Sequence, residues 1–417
     1  MSDQPPKAIS GLPKFVEFVA LIALMMGMTA LSIDIFLPAF PSVQAHFGIE
    51  DPNQLQLLVY VYMIGFALMQ LVYGPLSDVI GRRPVVMLGI GVYIVGCGVA
   101  IFASTFSALL FARVVQGMGA AAARVLAVAI VRDCFAGREM ARVLSIIFAV
   151  FIIVPVFAPA IGGIVLIFGE WQVLFASMLA LAVVLAVWFG LRMPETLHPE
   201  YRLPFSTERL LASVRLTLTT RVTVGYSTAV ALIFGCLMAY VGSAQQIFET
   251  EVYALGPLFT VVFGAIATTM AVGAVLNAHL VRRLGMRRLS HAATLGFVTM
   301  SVVQCALALL YDGRPPLLAF CLVLAGSQFF ASIAISNFNA MAMEPLGAVA
   351  GTASSFLGFY TTLFGALIGL LIGHWFNGTV VPLGIGYLAL SVSCLLVVLW
   401  TERGVLFRPY HPDPVGR

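Results

Sequence analysis

Three ionisable residues lie where the surrounding sequence leaves little water to solvate them. Asp34 stands in the apolar run Phe15–Leu37, and Arg113 and Arg124 stand in the run Ser107–Val131. An ionisable side chain at mid-bilayer costs on the order of 3 kcal/mol on insertion scales, so each needs a partner, a cavity or a task. Asp34 falls about four residues from the end of its run and Arg113 about six from the end of its own, ~6 Å and ~9 Å at the helical rise, so the two are expected to face one cavity. Arg124 follows Arg113 by eleven residues. That is three turns plus about 20°, which keeps it on the same helix face ~16 Å further along. The chemistry open to a lone carboxyl near guanidiniums is proton exchange, because burial favours the neutral form and a neighbouring cation the charged one. The alternative is a static ion pair holding two helices together. For Arg124 the alternative is a helix–helix pair or snorkelling to the interface. Glu17, near the start of its run, is expected to be an interfacial carboxylate.

A second group lies in Gly74–Pro84, GPLSDVIGRRP, a charged interruption between long apolar runs. It offers Gly74 and Gly81 for a tight turn, the carboxylate of Asp78 and the guanidiniums of Arg82 and Arg83. A degenerate copy, LNAHLVRRLGMRRL, spans Leu276–Leu289 and aligns Gly285 with Gly81. The chain therefore reads as two related halves, each with a charged hairpin after its second apolar run. A third stretch, VPVFAPAIGG, places Pro155, Pro159, Gly162 and Gly163 in one run. Proline bends a helix and glycine admits a close neighbour, so a kinked, tightly packed helix is expected at the seam between the halves, as a packing device or a functional one. Further polar residues inside apolar runs are Tyr60, Gln116, Tyr240 and Gln245, with Asn277, Gln328, Asn337 and Asn339. Each is either an interhelical hydrogen bond or a contact in a substrate cavity.

These residues need a scaffold, and the composition names it. The chain of 417 residues is 61% hydrophobic and 10% charged. A water-soluble domain carries about 25% charged residues and could not cover such a surface, so the solvent is a bilayer. Twelve apolar runs are long enough to cross one as helices. They are Phe15–Leu37, Leu55–Tyr73, Val85–Ala103, Ser107–Val131, Ala141–Phe168 and Trp171–Leu191, then Val222–Phe248, Gly256–Leu280, Ser290–Leu310, Leu317–Met341, Gly351–Trp375 and Val380–Trp400. The expected fold is all-α: a six-helix bundle over residues 1–191, a linker over 192–221 with Pro194, Pro199, Pro204 and a short surface helix at Ser206–Leu216, and a second bundle over 222–417. Even span counts give the halves the same orientation, as in transporters built from parallel repeats.

Lys and Arg set the direction. One set of loops holds Lys7, Lys14, Arg82, Arg83, Arg132, Arg138, Arg142, the linker arginines, Arg282, Arg283, Arg287, Arg288, Arg403, Arg408 and Arg417. The opposite set holds Arg314 and the acids Glu50, Asp51, Glu170, Glu249, Glu251 and Asp312. Both termini are therefore expected in the cytoplasm. The N-terminus lacks a cleavable-signal pattern. Six scattered cysteines form no metal-spaced cluster. A net charge of +4 does not point to nucleic acid. No nucleophile–base pair, phosphate-cradling loop or ATP site is present, so catalysis is not expected and energy must come from a gradient.

Twelve runs in two parallel halves, with GPLSDVIGRRP after the second, resemble the major facilitator superfamily over essentially the whole chain. RVVQGMGAA (Arg113–Ala121) is similar to the helix 4 signature of its proton-coupled members. PxxGG at Pro159–Gly163 is similar to the helix 5 signature of its drug exporters, with Ala158 where a glycine is usual. SIDIFLPAFP, IVRD (Ile130–Asp133), LNAHLVRRLG and EPLGAVAGTASS (Glu344–Ser355) are together similar to the Bcr/CflA branch, the bicyclomycin and chloramphenicol resistance-type drug:proton antiporters of bacteria. In that branch an arginine usually stands five residues before the IVRD arginine. This chain has Ala127 there and carries Arg124 one turn earlier.

The resemblance implies roles. Asp34 matches the helix 1 acid linked to proton and substrate, and Arg113 the helix 4 arginine that tunes protonation. Asp78 and Arg82 match the loop residues that latch the cytoplasmic side, with Asp133 as acidic partner of Arg82. The helix 5 glycines and prolines match an element that prevents leak. Met25 and Met26 stand where related exporters carry a further acid, leaving one embedded carboxylate. The expected function is proton-driven export of small, largely apolar compounds such as phenicol-like antibiotics, from the bacterial inner membrane, by a monomer without cofactor. The alternative is an uptake symporter or facilitator for a metabolite or organic anion bound by Arg113 and Arg124. A non-transporting sensor or scaffold would leave Asp34 freely substitutable.

Overall fold

The computed structural model describes residues 11–202 and 207–407. Lys7, Pro204, Ser206, Arg408 and Arg417, named above, lie outside them. Regular structure among the described residues is entirely helical. The α-helices are α1 Phe15–Asp34, α2 Phe40–Phe47, α3 Leu57–Ile80, α4 Arg82–Ile101, α5 Phe106–Cys134, α6 Gly137–Val165 and α7 Gln172–Arg192. They continue as α8 Thr207–Thr219, α9 Arg221–Gln245, α10 Phe259–Leu284, α11 Met286–Leu310, α12 Leu317–Met343, α13 Ala350–His374 and α14 Val381–Thr401. Among the described residues, twelve helical stretches are long and apolar enough to cross a membrane, the first joining α1 and α2 as Phe15–Phe47.

The chain forms two compact units. Within the described residues the first comprises 11–202 and 207–211, with Gly256–Gly264 and Ser354–Leu363. The second comprises Ala212–Leu255 and Ala265–Ala353, with the described residues 364–407. In the first, α5 packs against α3 and α4, α1 against α6, and α4 against α7. In the second, α11 packs against α12 and α14, and α9 against the same two. Apolar side chains gain little by leaving lipid for a helix interface, so close backbone approach must supply the packing. At the α3–α5 crossing a Cβ on Gly117 would strike the Tyr62 carbonyl, and at the α4–α5 crossing one on Gly96 would come within 2.5 Å of the Gln116 backbone nitrogen. These contacts set α5, which carries Arg113, deep between its neighbours. Thr105 starts α5 by accepting the Ala108 N–H at 3.1 Å, an N-cap in extended conformation.

Of the boundaries that differ from those read off the sequence, three bear on the site. The first run does not end near Leu37. α1 stops at Asp34, a 3₁₀ turn covers Leu37–Ala39, and α2 carries the span to Phe47. Pro38 and Pro41 supply no N–H to an α-helical ladder, which breaks the helix without ending the apolar path. Asp34 thus sits at an internal break rather than four residues from an end. The stretch Gly74–Pro84 is not a loop either. α3 continues through Gly74, Pro75 and Asp78 to Ile80, and α4 begins at Arg82, leaving Gly81 as the whole connection. Pro84 is tolerated because first-turn N–H groups have no intrahelical partner. Finally, the seventh span runs to Thr250 and includes Glu249, placed by sequence in a loop.

Candidate functional site

Asp34 is the last residue of α1, and the Ile35 N–H closes the helix on Leu31 O at 3.0 Å. The side chain is 6% exposed and makes no hydrogen bond or ion pair with any described residue. Direct pairing with Arg113, the static alternative raised by the sequence, is absent among the described residues. The reason lies in how Arg113 is already held. Its Nε donates to Leu58 O at 3.0 Å, and its Nη1 to Ser32 O at 3.0 Å and Gln116 Oε1 at 2.6 Å. The guanidinium lies 4.6 Å from the centroid of the Tyr62 ring and 5.6 Å from that of Phe36. Carbonyl dipoles and aromatic faces thus stand where a carboxylate would otherwise be needed. Arg113 is fully buried, and its Nη2 has no hydrogen-bond partner.

The cluster around Arg113 is larger than its sequence motif. Tyr62 lies within electrostatic reach of both Arg113 and Asp34, and its hydroxyl donates to Thr29 O at 3.2 Å. Ser32 Oγ and the Tyr93 hydroxyl share a hydrogen bond of 2.5 Å. The Gln116 amide donates to Cys97 Sγ at 3.1 Å. Arg113, Gln116, Ser32 and the two tyrosines form one polar core two residues from Asp34 along α1. Tyr62, Tyr93 and Ser32 are missed by sequence because common residue types in apolar runs carry no mark of their neighbours.

Arg124 does not join this cluster. Its guanidinium lies 4.7 Å from the centroid of the Phe151 ring and 5.7 Å from that of Phe148, both on α6. Its Nη1 is buried without a hydrogen-bond partner. Tyr60 is fully buried, with its hydroxyl 3.5 Å from Gln56 Oε1.

The charged residues around Gly81 converge. Arg82 Nη1 donates to Asp78 Oδ1 and Ser77 Oγ, both at 2.6 Å, and Nε donates to Asp133 Oδ2 at 2.9 Å. Asp133 closes α5, so the ends of α3, α4 and α5 meet at one guanidinium. Sequence reasoning missed Glu195, three residues beyond α7. Its Oε1 accepts the N–H groups of Arg82 at 2.8 Å and Leu197 at 2.9 Å, and its Oε2 accepts that of Arg83 at 3.2 Å. A carboxylate there satisfies free N–H groups and meets the positive end of the α4 dipole. Gly81 has φ +106°, and a side chain on it would strike the Glu195 carboxylate. Arg83 Nη2 donates to Gly190 O at 2.5 Å. Glu17 is bridged by Arg192 at 2.7 and 2.8 Å and by Trp188 Nε1 at 3.2 Å, a pairing that joins α1 to α7.

On α6, Pro155 and Pro159 stand inside the helix and withdraw N–H groups from its ladder. A Cβ on Gly162 would strike the Ile35 carbonyl, so α6 touches α1 beside Asp34. Gly163 departs from expectation: nothing lies within 4 Å of a Cβ there. Its pairing with Gly162 suggests two close approaches, but adjacent helical residues point about 100° apart and only one can face α1.

In the second unit the expected cavity residues are dispersed. Asn337 Nδ2 donates to Asn277 Oδ1 at 2.7 Å and to Ile333 O at 2.9 Å. Asn339 is exposed and separate from that pair. Tyr240 and Gln245 are buried on α9, with Gln245 bonded to Glu249. Gln328 Nε2 donates to the Tyr387 hydroxyl at 3.4 Å. In the copy of the charged hairpin, Arg287 pairs with Glu402 at 3.5 Å, and Glu402 also accepts the Tyr226 hydroxyl.

Twelve apolar spans, with a buried carboxyl and a guanidinium held by carbonyls among them, fit a multi-pass membrane transport protein rather than an enzyme. The sequence profile of the Major Facilitator Superfamily matches residues 22–370, and the chain belongs to that family of secondary transporters. Its substrate is accordingly a small molecule carried across a membrane. An uncharacterised transporter of this superfamily from Bacillus subtilis is 27% identical over 370 residues, covering 87% of this chain and 90% of the relative. A bicyclomycin resistance protein homolog from Haemophilus influenzae is 29% identical over 377 residues, 88% of this chain and 91% of the relative. The multidrug resistance protein MdtL of Vibrio parahaemolyticus is 24% identical over 385 residues, covering 92% and 93%. Among solved structures, the human organic anion transporter TETRAN matches with a TM-score of 0.69 at 18% identity, over 93% of this chain and all of that one. The Escherichia coli xylose transporter XylE matches with a TM-score of 0.73 at 13% identity, over 96% and 99%. At such identities the structures show the shared fold.

Proposed function

We propose that this protein is a proton-coupled exporter of small, largely apolar compounds, of the Bcr/CflA type, and that Asp34 carries the proton. The observation that carries this reading is Asp34 itself: a buried carboxyl at a break in α1 with no cation bonded to it. An ionised carboxyl isolated in an apolar interior is costly, so a proton or a substrate group must balance it. Substrate and proton then compete for one site, and loading either expels the other. Arg113, bonded to the carbonyl of Ser32 two residues before Asp34, tunes that exchange through Tyr62. The relatives named for bicyclomycin and multidrug resistance support the direction of transport.

The reading extends to placement. The chain sits in a bacterial inner membrane as a monomer with both termini cytoplasmic, as two six-helix bundles joined over 192–221. Asp78, Arg82, Arg83 and Asp133, with Gly74 and Gly81, form a cytoplasmic latch. Pro155, Pro159, Gly162 and Gly163 shape the helix that seals against leak. One charge moved through 100 mV is worth about 2.3 kcal/mol. A gradient of one pH unit adds about 1.4 kcal/mol, so one proton per cycle supports accumulation ratios of tens to hundreds.

The deciding experiment places the purified protein in liposomes with an internal pH dye, imposes a pH gradient and adds phenicol-type and cationic compounds. Compound-triggered proton movement that vanishes in Asp34→Asn is expected. No compound-linked proton movement across the panel would overturn the export reading. A second reading, carriage of an organic anion, is favoured by the buried, unpartnered Nη1 of Arg124. It predicts that gene deletion abolishes growth on a nutrient rather than raising drug sensitivity.

A further inference from the structure

Asp34 is not the sole carboxyl inside a span. At Gln245 the α-helical ladder of α9 gives way to a π-helical turn, Gln246–Thr250, and Glu249 lies in that turn. A π turn re-aims the side chains it carries and recurs at functional sites. Glu249 Oε2 is buried and has no hydrogen-bond partner, while the Gln245 side chain donates to the carboxyl. Ile247 and Phe248, its neighbours in the turn, are fully buried. Phe248 stacks on Tyr253 and meets Phe320 of α12, with ring centroids 5.9 Å apart in both cases.

The polar side chains beside Glu249 along the chain bond elsewhere. Glu251 accepts from the Gln246 amide at 3.4 Å, and the Tyr253 hydroxyl donates to Pro315 O at 2.8 Å. α12 presents Phe320 to this corner. Among the described residues no charged side chain of a neighbouring element acts on the Glu249 carboxyl. A buried carboxylate oxygen without donor or cation is a costly arrangement that binding of a proton relieves.

We propose that Glu249 is a second proton-binding carboxyl, exchanging a proton with the water on the membrane face where α9 ends. A proton from that face bonds to Oε2 and cancels the carboxylate charge, and the reverse step returns it to the same water. Gln245 then holds the group in place in both states, as donor to the ionised form and through its amide oxygen as acceptor for the protonated one. The inference builds on the proton-coupled reading above, in which Asp34 is the only titrating site. It gives the protein a second titration, separate from compound-linked proton movement, that Asp34→Asn leaves intact.

The test is infrared difference spectroscopy of the purified protein, titrated from about pH 5 to about pH 9 to bracket the range of perturbed carboxyls. Protonated carboxyl groups absorb in their C=O stretch apart from carboxylates. Glu249→Gln is expected to remove a titrating component equal in amplitude to the one removed by Asp34→Asn, and the double variant to remove both. Glu249→Asp, which keeps a carboxyl in case the amide disturbs folding, is expected to retain the component at a shifted position. An unaltered carboxyl signal in Glu249→Gln, with folding confirmed by circular dichroism, overturns the proposal. Because the readout needs no substrate, failure of the export reading in liposomes leaves this outcome separately decidable.

Discussion

Glu195 and Arg82 meet through the backbone of one and the side chain of the other. The Glu195 carboxylate takes the Arg82 N–H at 2.8 Å, while the Arg82 guanidinium turns away to Asp133 at 2.9 Å and Asp78 at 2.6 Å. The segment after α7 is thereby fastened to the start of α4. Losing such a helix cap costs about 0.5–2 kcal/mol. Glu195→Ala should lower the melting midpoint of the purified protein, and Glu195→Gln, which keeps an acceptor oxygen, should recover part of the loss. A midpoint unmoved by Glu195→Ala would mean that this carboxylate does not hold the start of α4.

The two acids on Arg82 are unequal. Asp133 is 14% exposed at its side chain and Asp78 is 30% exposed, against 6% for Arg82. Breaking the more buried pair strands more charge, with a cost that reaches about 3–5 kcal/mol for a fully buried pair and falls with exposure. Asp133→Asn should therefore destabilise more than Asp78→Asn in paired thermal melts. Equal losses would mean that solvent screens both pairs alike.

Asp34 makes a signed prediction about pH. If substrate loads onto the deprotonated site, acid favours the proton and weakens substrate binding, and alkaline conditions strengthen it. Binding to the parent should thus fall as pH falls, and binding to Asp34→Asn should be flat over the same range. Fluorescence or calorimetric titration in detergent reads this directly. A slope that persists in Asp34→Asn would place the proton on another group.

Gly162 and Gly163 should behave differently despite being adjacent. A methyl on Gly162 meets the Ile35 carbonyl, whereas one on Gly163 meets nothing within 4 Å. Overpacking of that kind costs about 1–3 kcal/mol. Gly162→Ala should lower stability and transport, while Gly163→Ala should stay within about 0.5 kcal/mol of the parent in denaturation. Similar effects of the two would mean that α6 and α1 are not in contact beside Asp34.

Much of the scaffold was legible because bilayer thickness imposes it. Twelve long apolar runs have few alternatives, and charged residues fall at the helix ends between them, where Arg82 and Asp133 meet. What the sequence hides is where a partner has no residue type. Arg113 is held by the carbonyls of Leu58 and Ser32, and a carbonyl belongs to every residue. The break after Asp34 depends on where Pro38 and Pro41 disturb the ladder, which leaves the apolar pattern intact. The π turn at Glu249 likewise leaves no mark in hydropathy, so a boundary drawn at Phe248 puts the carboxyl outside the span that contains it.

Gly81 is the whole connection between α3 and α4, and Gly285 is the whole connection between α10 and α11, with φ of +106° and +79°. A joint one residue long has no slack. One inserted residue there would rotate the following helix by about 100° about its axis and turn its buried side toward lipid. At these two points the length of the chain is under tighter constraint than the identity of the residues around it. Homologous proteins should therefore gain and lose residues almost anywhere outside the membrane before they do so here.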